Sequence, residues 1–483
     1  MAGRDRGHPS GRWLRRSTAT LVVLLFALAA VSYELDLGKR WLGWDYPSPV
    51  TEPAEVAPPP GLTLPAPETA PVVAEPTEDR AANPAAVRRA LAKLVRSKKL
   101  GPHLAVAVDQ LVDGKTVYSA GAGLVIPAST MKLLTTLTAL EAMGPDHRFR
   151  TTVVAGATSR QIVLVGGGDP LLGRAPEADD VYPPRADAQT LATATAKALG
   201  RLGRDSVRVF YDDSLFTGPS VSPDWPASYI AEDVVSPITA LWVDEGRETS
   251  GLADRVADPS LEAARIFAQA LERQQIEVRG KPRPAVAAED AEELAVVESA
   301  PLGQIVQRIL EVSDNEAAEV LFRHVALAEG LPGSFEGAQQ AVRTVLERLG
   351  VDTSTDVILD GSGLSRGNRL SPATLLSVLE LATSEEQPDL RSVAVDLPVA
   401  GFTGSLLYRF ETGDDEGLGR VRAKTGTLTG VHGLAGVVTD QDGTELAFVA
   451  IADKVKIENT LDARALLDEI AAALAGCACG ATP

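Results

Sequence analysis

A chain of 483 residues with 45% hydrophobic and 23% charged side chains has the make-up of an ordinary globular protein, with room for about three domains. Its formal net charge of −19 argues against nucleic acid as a partner. Two cysteines, Cys477 and Cys479, and 5 scattered histidines without an H-E-x-x-H offer no metal-ligand spacing and no disulfide framework, so neither cofactor nor metal is expected.

Arg4, Arg6, Arg12, Arg15 and Arg16 precede an uncharged run from Ser17 to Tyr33. That run is at the short limit for a spanning helix of ~17–25 residues. Trp13 and Tyr33 flank it like interface anchors, with the arginines on the cytoplasmic side. Residues 1–44 therefore read as a cytoplasmic tail and membrane anchor. The alternative is a signal peptide cleaved near Ala27-Leu28-Ala29. Either reading sends the rest of the chain out of the cytoplasm. Residues 45–82 are a Pro/Ala/Glu/Thr mixture that includes Pro58-Pro59-Pro60, too poor in aromatics to fold, and are expected to form a disordered linker.

Folding is expected to begin at Asn83-Pro84, an N-cap followed by proline at the first helical position. Val87, Leu91, Leu94 and Val95 mark that helix's apolar face. Leu104–Val112 and Lys115–Ser119 read as strands joined through Asp113-Gly114. Beyond Pro145 the character changes. Phe149–Ala155 and Gln161–Val165 are short β-like runs, and turn-rich, irregular sequence follows through Trp242, so residues 149–285 are expected to form an inserted domain. Helical spacing returns with Leu302, Ile305, Val306, Ile309 and Leu310, breaks at Ser313-Asp314-Asn315, and resumes with Val320, Leu321 and Val325. Val357–Leu359 looks strand-like and Ser371-Pro372 opens another helix. Arg420–Thr425, Val431–Thr439 and Thr444–Ala452 complete a five-stranded, mainly antiparallel sheet with the first hairpin. The helix from about Leu461 to Leu474 can pack on it beside the N-terminal one. The expected class is α+β, with 83–148 and 286–476 building one domain and 477–483 a short tail.

Three stretches carry chemistry. In the first, Leu133, Leu134, Leu137 and Leu140 recur at helical spacing and Gly144-Pro145 supplies a stop, which puts Ser129 in the first turn of a helix. Lys132 stands three residues on, on the same face, with its ammonium against the Ser129 hydroxyl. Ser313-Asp314-Asn315 lies between two helical patterns, and Lys424-Thr425-Gly426-Thr427 ends an alternating run. A serine hydroxyl needs a neighbour to take its proton. A lysine with the ordinary pKa of ~10.4 is neutral in only about one molecule in 10³ at pH 7. Burial and a second cation are the two ways to close that gap, and Lys424 is the candidate cation. Its charge, with the Thr425 and Thr427 hydroxyls, suits a peptide ending in a free carboxylate. Ser313 is placed to relay protons, and Asn315 to hold Lys132 and bond a substrate amide. The amides of Ser129 and Thr427 are candidate oxyanion donors, while Asp314 reads as a solvent-facing filler.

These stretches, in this order, match the S-x-x-K, S-D-N and K-T-G set of penicillin-binding proteins and β-lactamases. The chain resembles the D-alanyl-D-alanine carboxypeptidase/endopeptidases of the class C low-molecular-mass penicillin-binding proteins (peptidase S13). Similar local phrases are Leu164-Val165-Gly166-Gly167-Gly168-Asp169-Pro170, Asp212-Asp213-Ser214-Leu215-Phe216, Asp360-Gly361-Ser362-Gly363-Leu364-Ser365-Arg366 and Leu397-Pro398-Val399-Ala400-Gly401. The resemblance implies a penicillin-binding/β-lactamase-like transpeptidase fold with an inserted domain. It also implies a serine acyl-transfer peptidase acting on D-Ala-D-Ala ends or cross-links of peptidoglycan peptide stems, inhibited by β-lactam antibiotics. Catalysis would rest on Ser129, Lys132, Ser313, Asn315 and Lys424, and substrate binding on Thr425, Gly426 and Thr427. The segment between Ser129 and Ser313 is shorter than is usual for the family, which implies that one of its inserted domains is reduced or absent.

Other matches are decoys. Gly363-Leu364-Ser365-Arg366-Gly367 fits the G-x-S-x-G elbow of α/β-hydrolases, with His432 as a base, yet Ser365 is not at a strand-to-helix turn. Gly114-Lys115-Thr116 lacks the first glycine of a phosphate loop, and Gly166-Gly167-Gly168 lacks dinucleotide spacing. A β-lactamase would need a glutamate for fast deacylation, and no clear signature for one follows Asn315. A non-catalytic wall-binding protein would have no reason to keep the five catalytic candidates together.

Overall fold

The computed structural model describes residues 80–480 apart from 122, 179–180 and 411–414. The expected anchor and almost all of the expected linker lie outside the described residues. No helix among the described residues is long and apolar enough to cross a membrane.

In chain order the elements begin with α1 (Pro84–Leu91), β1 (Leu104–Gln110), β2 (Lys115–Ala120) and α2 (Lys132–Met143). A second group comprises β3 (Arg150–Ala155), β4 (Gln161–Val165), α3 (Ala188–Arg201), β5 (Ser206–Asp212), α4 (Pro259–Arg273), β6 (Glu277–Val278), β7 (Arg283–Pro284) and β8 (Glu293–Glu298). Four helices follow, α5 (Leu302–Val312), α6 (Asn315–Ala328), α7 (Phe335–Arg348) and α8 (Pro372–Thr383). Then come β9 (Val421–Leu428), β10 (Val431–Thr439), β11 (Glu445–Ala452) and α9 (Thr460–Ala475).

The first sheet runs β2-β1-β11-β10-β9, with every pairing antiparallel. Strand alternation gives it two buried faces. Val106, Val108, Leu434, Phe448 and Ala450 pack with Val87 and Leu91 of α1 and Leu467 and Ile470 of α9. The opposite face is small: Ala105, Ala107, Ala435, Ala447 and Val449 meet the helical layer that contains α2, α5, α6 and α8. Leu133, Leu134, Leu137 and Leu140 of α2 are all buried there, each contributing about 1.5–3 kcal/mol. Helix starts follow the capping rules. Asn83 Oδ1 accepts from Ala85 N at 3.0 Å with Pro84 next in line, and Ser371 Oγ accepts from Ala373 N at 3.2 Å ahead of α8.

The second sheet is ordered β6-β5-β4-β3-β8, with β7 paired to β5. β4–β5 and β5–β6 are parallel pairs, so their connections cross over through α3 and α4, which bury Leu191, Leu199, Phe267 and Leu271 against the sheet. The turn-rich reading of this stretch is corrected here: α3 and β5 lie within the sequence read as irregular, and α4 lies beyond it, where no element was expected. Both helices are alanine-rich, which mutes the hydrophobic period. β8 pairs with β3, so this sheet also draws on chain beyond residue 285. The strand expected at Val357–Leu359 is a single bridge, Val357 to Arg369.

The C-terminal tail is part of the fold. Cys477 and Cys479 are disulfide-bonded, and Cys479 is buried. Its carbonyl accepts from Asn83 N at 2.6 Å, its amide donates to Asp440 Oδ2 at 2.9 Å, and Gly480 bridges to Ala82. Chain entry and exit are thus tied together.

Candidate active site

Ser129 sits on a single 3₁₀ turn, Ala128–Met131, that runs directly into α2 at Lys132. Ala128 has φ 46°, a conformation a non-glycine residue adopts only under constraint. The constraint is visible on both sides. Ile126 N donates to Asp453 Oδ2 at 3.0 Å, and the Ala128 carbonyl lies against Gly363, where any side chain would collide. Strand β9 also approaches closely, since a Cβ on Gly426 would lie 2.7 Å from the Pro127 carbonyl oxygen. The glycine of Lys424-Thr425-Gly426 is therefore a packing requirement of the Ser129 turn.

Lys132 is wholly buried. Its Nζ lies 3.1 Å from Ser129 Oγ, 2.8 Å from Asn315 Oδ1 and 2.7 Å from the Ser362 carbonyl oxygen. Three acceptors satisfy the three N–H bonds of an ammonium. When the amine is neutral, the two carbonyl oxygens still need its two N–H bonds, because neither can donate. The lone pair is then left for the Ser129 hydroxyl. Burial lowers the Lys132 pKa from 10.5 to about 8, while Glu319, Asp360, Asp314 and Glu316 work in the opposite direction.

Lys424, on β9, is also wholly buried, and among the described residues its Nζ has one hydrogen-bond partner, the Thr425 carbonyl, at 3.3 Å. Burial, and then the charge of Lys132, push its pKa well below 10.5. The expectation made Lys424 the cation that depresses Lys132. Burial is the leading cause of the low Lys132 pKa, and the repulsion between the two lysines shows in the lowered pKa of Lys424. Thr425 Oγ1 donates to Ser405 Oγ at 3.0 Å, which brings in a hydroxyl that sequence reasoning did not single out. Gly426 is buried inside β9 and Thr427 exposed. The motif thus lies within the strand, which continues to Leu428, rather than ending an alternating run there.

Ser313 ends α5 in the left-handed region (φ 62°, ψ 41°), and Asn315 opens α6. Asp314 between them is not the solvent-facing residue expected. It is buried and caps α6, accepting from Ala317 N at 3.0 Å. Burial, then repulsion from Glu245 and Glu316, raise its pKa to about 8. Those three carboxylates cluster tightly. Three guanidinium groups neutralise them: Arg255 at 2.7 Å from Glu316, Arg247 at 3.1 Å from Glu245, and Arg308 at 3.3 Å from Glu245 and 3.4 Å from Asp314. With its oxygens already paired to guanidinium groups, the cluster is an ion-pair lock behind Ser313 rather than a cation site.

The rival nucleophile fails on geometry. Ser365 is buried, and its Oγ accepts from Gly367 N at 3.1 Å. Neither ring nitrogen of His432 has a partner among the described residues, so no serine–histidine pair exists there. Missed by sequence reasoning were the Ser362 carbonyl and the two acids around it, Glu319 and Asp360. The i, i+4 spacing of Asn315 and Glu319 was the available signal.

Comparison with known proteins gives the family. The profile of the D-Ala-D-Ala carboxypeptidase 3 (S13) family matches residues 87–254 and 247–474. A carboxypeptidase of Mycobacterium tuberculosis is 36% identical over 432 residues, covering 87% of this chain and 91% of its own. The D-alanyl-D-alanine carboxypeptidase of an Actinomadura species is 30% identical over 434 residues, covering 71% and 76%. In fold, the chain is similar to penicillin binding protein 4 of Haemophilus influenzae, with TM-score 0.65 and 22% identity over 79% of this chain and 97% of that one. Taken over this length, the matches show that the chain belongs to the D-Ala-D-Ala carboxypeptidase 3 (S13) family.

Proposed function

We propose that the protein is a penicillin-binding, serine-type D-Ala-D-Ala carboxypeptidase that acts on peptidoglycan peptide stems through an acyl-enzyme on Ser129. The observation that carries this reading is the position of Lys132 Nζ, 3.1 Å from Ser129 Oγ with its other two hydrogens committed to Asn315 and Ser362. In acylation, the Ser129 oxygen bonds to the carbonyl carbon of the penultimate D-Ala and its proton passes to Lys132. The negative oxygen is received by the amides of Ser129 and Thr427, donors commonly worth ~3–4 kcal/mol each. The C–N bond then breaks and the leaving amine takes a proton relayed through Ser313. Water reverses the sequence: its proton goes to Lys132, the ester C–O bond breaks, and Ser129 recovers its hydrogen. Lys424, Thr425 and Thr427 receive the terminal carboxylate. That carboxylate also stabilises the charged form of Lys424, which burial otherwise opposes.

Neither glutamate next along α6 is free to activate a deacylating water. Glu316 pairs with Arg255 at 2.7 Å, and Glu319 is taken by the amides of Gly361 and Ser362. Slow release of a bound penicillin is the expected outcome, and measuring it would separate this reading from a β-lactamase. Residues 83–148 and 286–476 build the domain that carries the site, and 149–285 form the inserted one, its sheet completed by β8. The protein works outside the cytoplasm, held at the membrane by residues 1–44. A mature chain that starts near Ala30 and stays in the soluble exported fraction would replace the anchor with a cleaved signal peptide.

The deciding experiment is incubation with a labelled penicillin, followed by digestion and identification of the modified peptide. The label is expected on Ser129, absent in Ser129→Ala and intact in Ser365→Ala. Labelling that survives Ser129→Ala and vanishes in Ser365→Ala would overturn the assignment.

A further inference from the structure

Lys132 is aimed by a loop, and the loop is gripped by acids that make no hydrogen bond to the lysine. Gly361-Ser362-Gly363 is held between α2 and two wholly buried carboxylates. Toward α2, the Ser362 carbonyl accepts from Lys132 Nζ at 2.7 Å, and the Gly361 carbonyl accepts from Thr135 Oγ1 at 2.7 Å. On the other side, Glu319 accepts from Ser362 N at 2.7 Å and from Gly361 N at 3.1 Å, while Asp360 accepts from Gly363 N at 3.0 Å. Asp360 is fixed in turn by Trp225 Nε1 at 2.8 Å and Asn368 Nδ2 at 2.7 Å. Carboxylates suit this task because they take several N–H donors and return none. Glu319 stands one turn after Asn315 on α6. One helix face thus supplies a direct acceptor for Lys132 and the anchor of the second acceptor.

We propose that Glu319, with Asp360 beside it, is a positioning residue for acylation. It holds the Ser362 carbonyl where that group takes one N–H of Lys132 and leaves the lone pair facing Ser129. The proposal rests on the Ser129–Lys132 reading above. The charged groups that bear on Lys132 are Glu319, Asp314 and Glu316 from α6, Asp360 from the loop and Lys424 from β9. Burial, then repulsion from Asp360, raise the Glu319 pKa to about 8, so its negative form opposes loss of the Lys132 proton over the upper part of the limb. Removing that charge makes the ammonium less favoured there, and the neutral amine is reached at lower pH.

The test is the pH profile of acylation by a fluorescent penicillin, measured on the full chain. In Glu319→Gln the plateau rate is expected to fall between about tenfold and about a hundredfold, the effect of a misplaced catalytic group, and the rising limb to move to lower pH. Glu319→Asp keeps the charge and loses the reach, so its plateau falls while its limb stays near that of the wild type. A purely structural role would lower the yield of folded protein and leave the profile of the folded fraction unchanged, which would overturn the proposal. If Glu319→Gln does not fold, Trp225→Phe decides: losing a donor to Asp360 should move the limb the same way, and an unchanged limb and plateau would overturn the proposal. Acylation that depends on Lys132 but ignores Glu319 sinks this inference alone. A normal profile in Lys132→Ala sinks the underlying reading and this one with it.

Discussion

Two lysines, Lys132 and Lys424, are equally buried and sit in unlike surroundings. Lys132 has three hydrogen-bond acceptors and four carboxylates that favour its charge, and these offset burial enough to hold its pKa at about 8. Lys424 has one carbonyl at 3.3 Å, and among the described residues its charged influence is another cation. Equal burial therefore yields two functions. Lys132 exchanges its proton close to neutral pH, as a base must. Lys424 lacks a counter-ion and gains one when a carboxylate arrives. The difference lies in what the neighbouring elements present. α6 and the 360–363 loop bring acids towards Lys132, and among the described residues none is brought to Lys424.

The comparison breaks first if Lys132 is dispensable. Lys132→Ala is expected to slow penicillin acylation by several orders of magnitude, because coupled catalytic groups fail as a unit. The wild-type rate should climb as pH rises through about 8, since burial disfavours the ammonium and the neutral amine is the reactive form. Rapid-mixing measurements should show that limb in the wild type and none in the variant. A wild-type rate that falls over the same range would exclude Lys132 as the base.

Lys424 sharpens the contrast at a smaller scale. Lys424→Ala should weaken transition-state binding of a peptide with a free C-terminal carboxylate by roughly 2–5 kcal/mol, the range for removing one partner of a buried charge pair. The same peptide carrying a C-terminal amide should lose far less. Comparing kcat/KM for the two peptides in both proteins gives the coupling directly. Equal losses would mean that Lys424 supports the strand and leaves the carboxylate unrecognised.

Much of this was legible in the sequence wherever a local pattern implies a local structure. Asn83-Pro84 announced α1, the leucines after Lys132 announced α2, and the alternating stretches from Arg420 to Ala452 announced three paired strands. What escaped was written in weaker symbols. α3 and α4 bury Ala192, Ala198, Ala263, Ala264 and Ala270, and alanine raises little hydrophobic contrast. The grip of Glu319 on Ser362 spans 43 positions and runs through backbone amides, which no residue pattern spells out. The burial of Asp314 was hidden for a related reason. The arginines that balance its cluster come from 247, 255 and 308, on segments that only the fold brings together.

Asp314 gives the smallest effect. It also tests whether the acids near Lys132 differ in duty. Its side chain caps α6 through Ala317 N, a bond worth about 1 kcal/mol. It also adds negative charge beside Glu245 and Glu316, and burial with that repulsion raises its pKa to about 8. A carboxyl whose folded-state pKa exceeds the unfolded value of ~3.9 binds its proton more tightly when folded. Its contribution to stability is therefore complete below about pH 4 and is lost as pH rises towards 8. Asp314→Asn keeps the cap and imitates the protonated acid. It should match the wild type in denaturant midpoint below about pH 4 and exceed it by a growing margin as pH rises towards 8. Asp314→Ala loses the cap and should be less stable than Asp314→Asn at every pH, by about 0.5–2 kcal/mol. If Asn and Ala prove equally damaging in alkali, the Asp314 charge is needed by the arginines around it, and the cluster works as an ion-pair lock before it works as a cap.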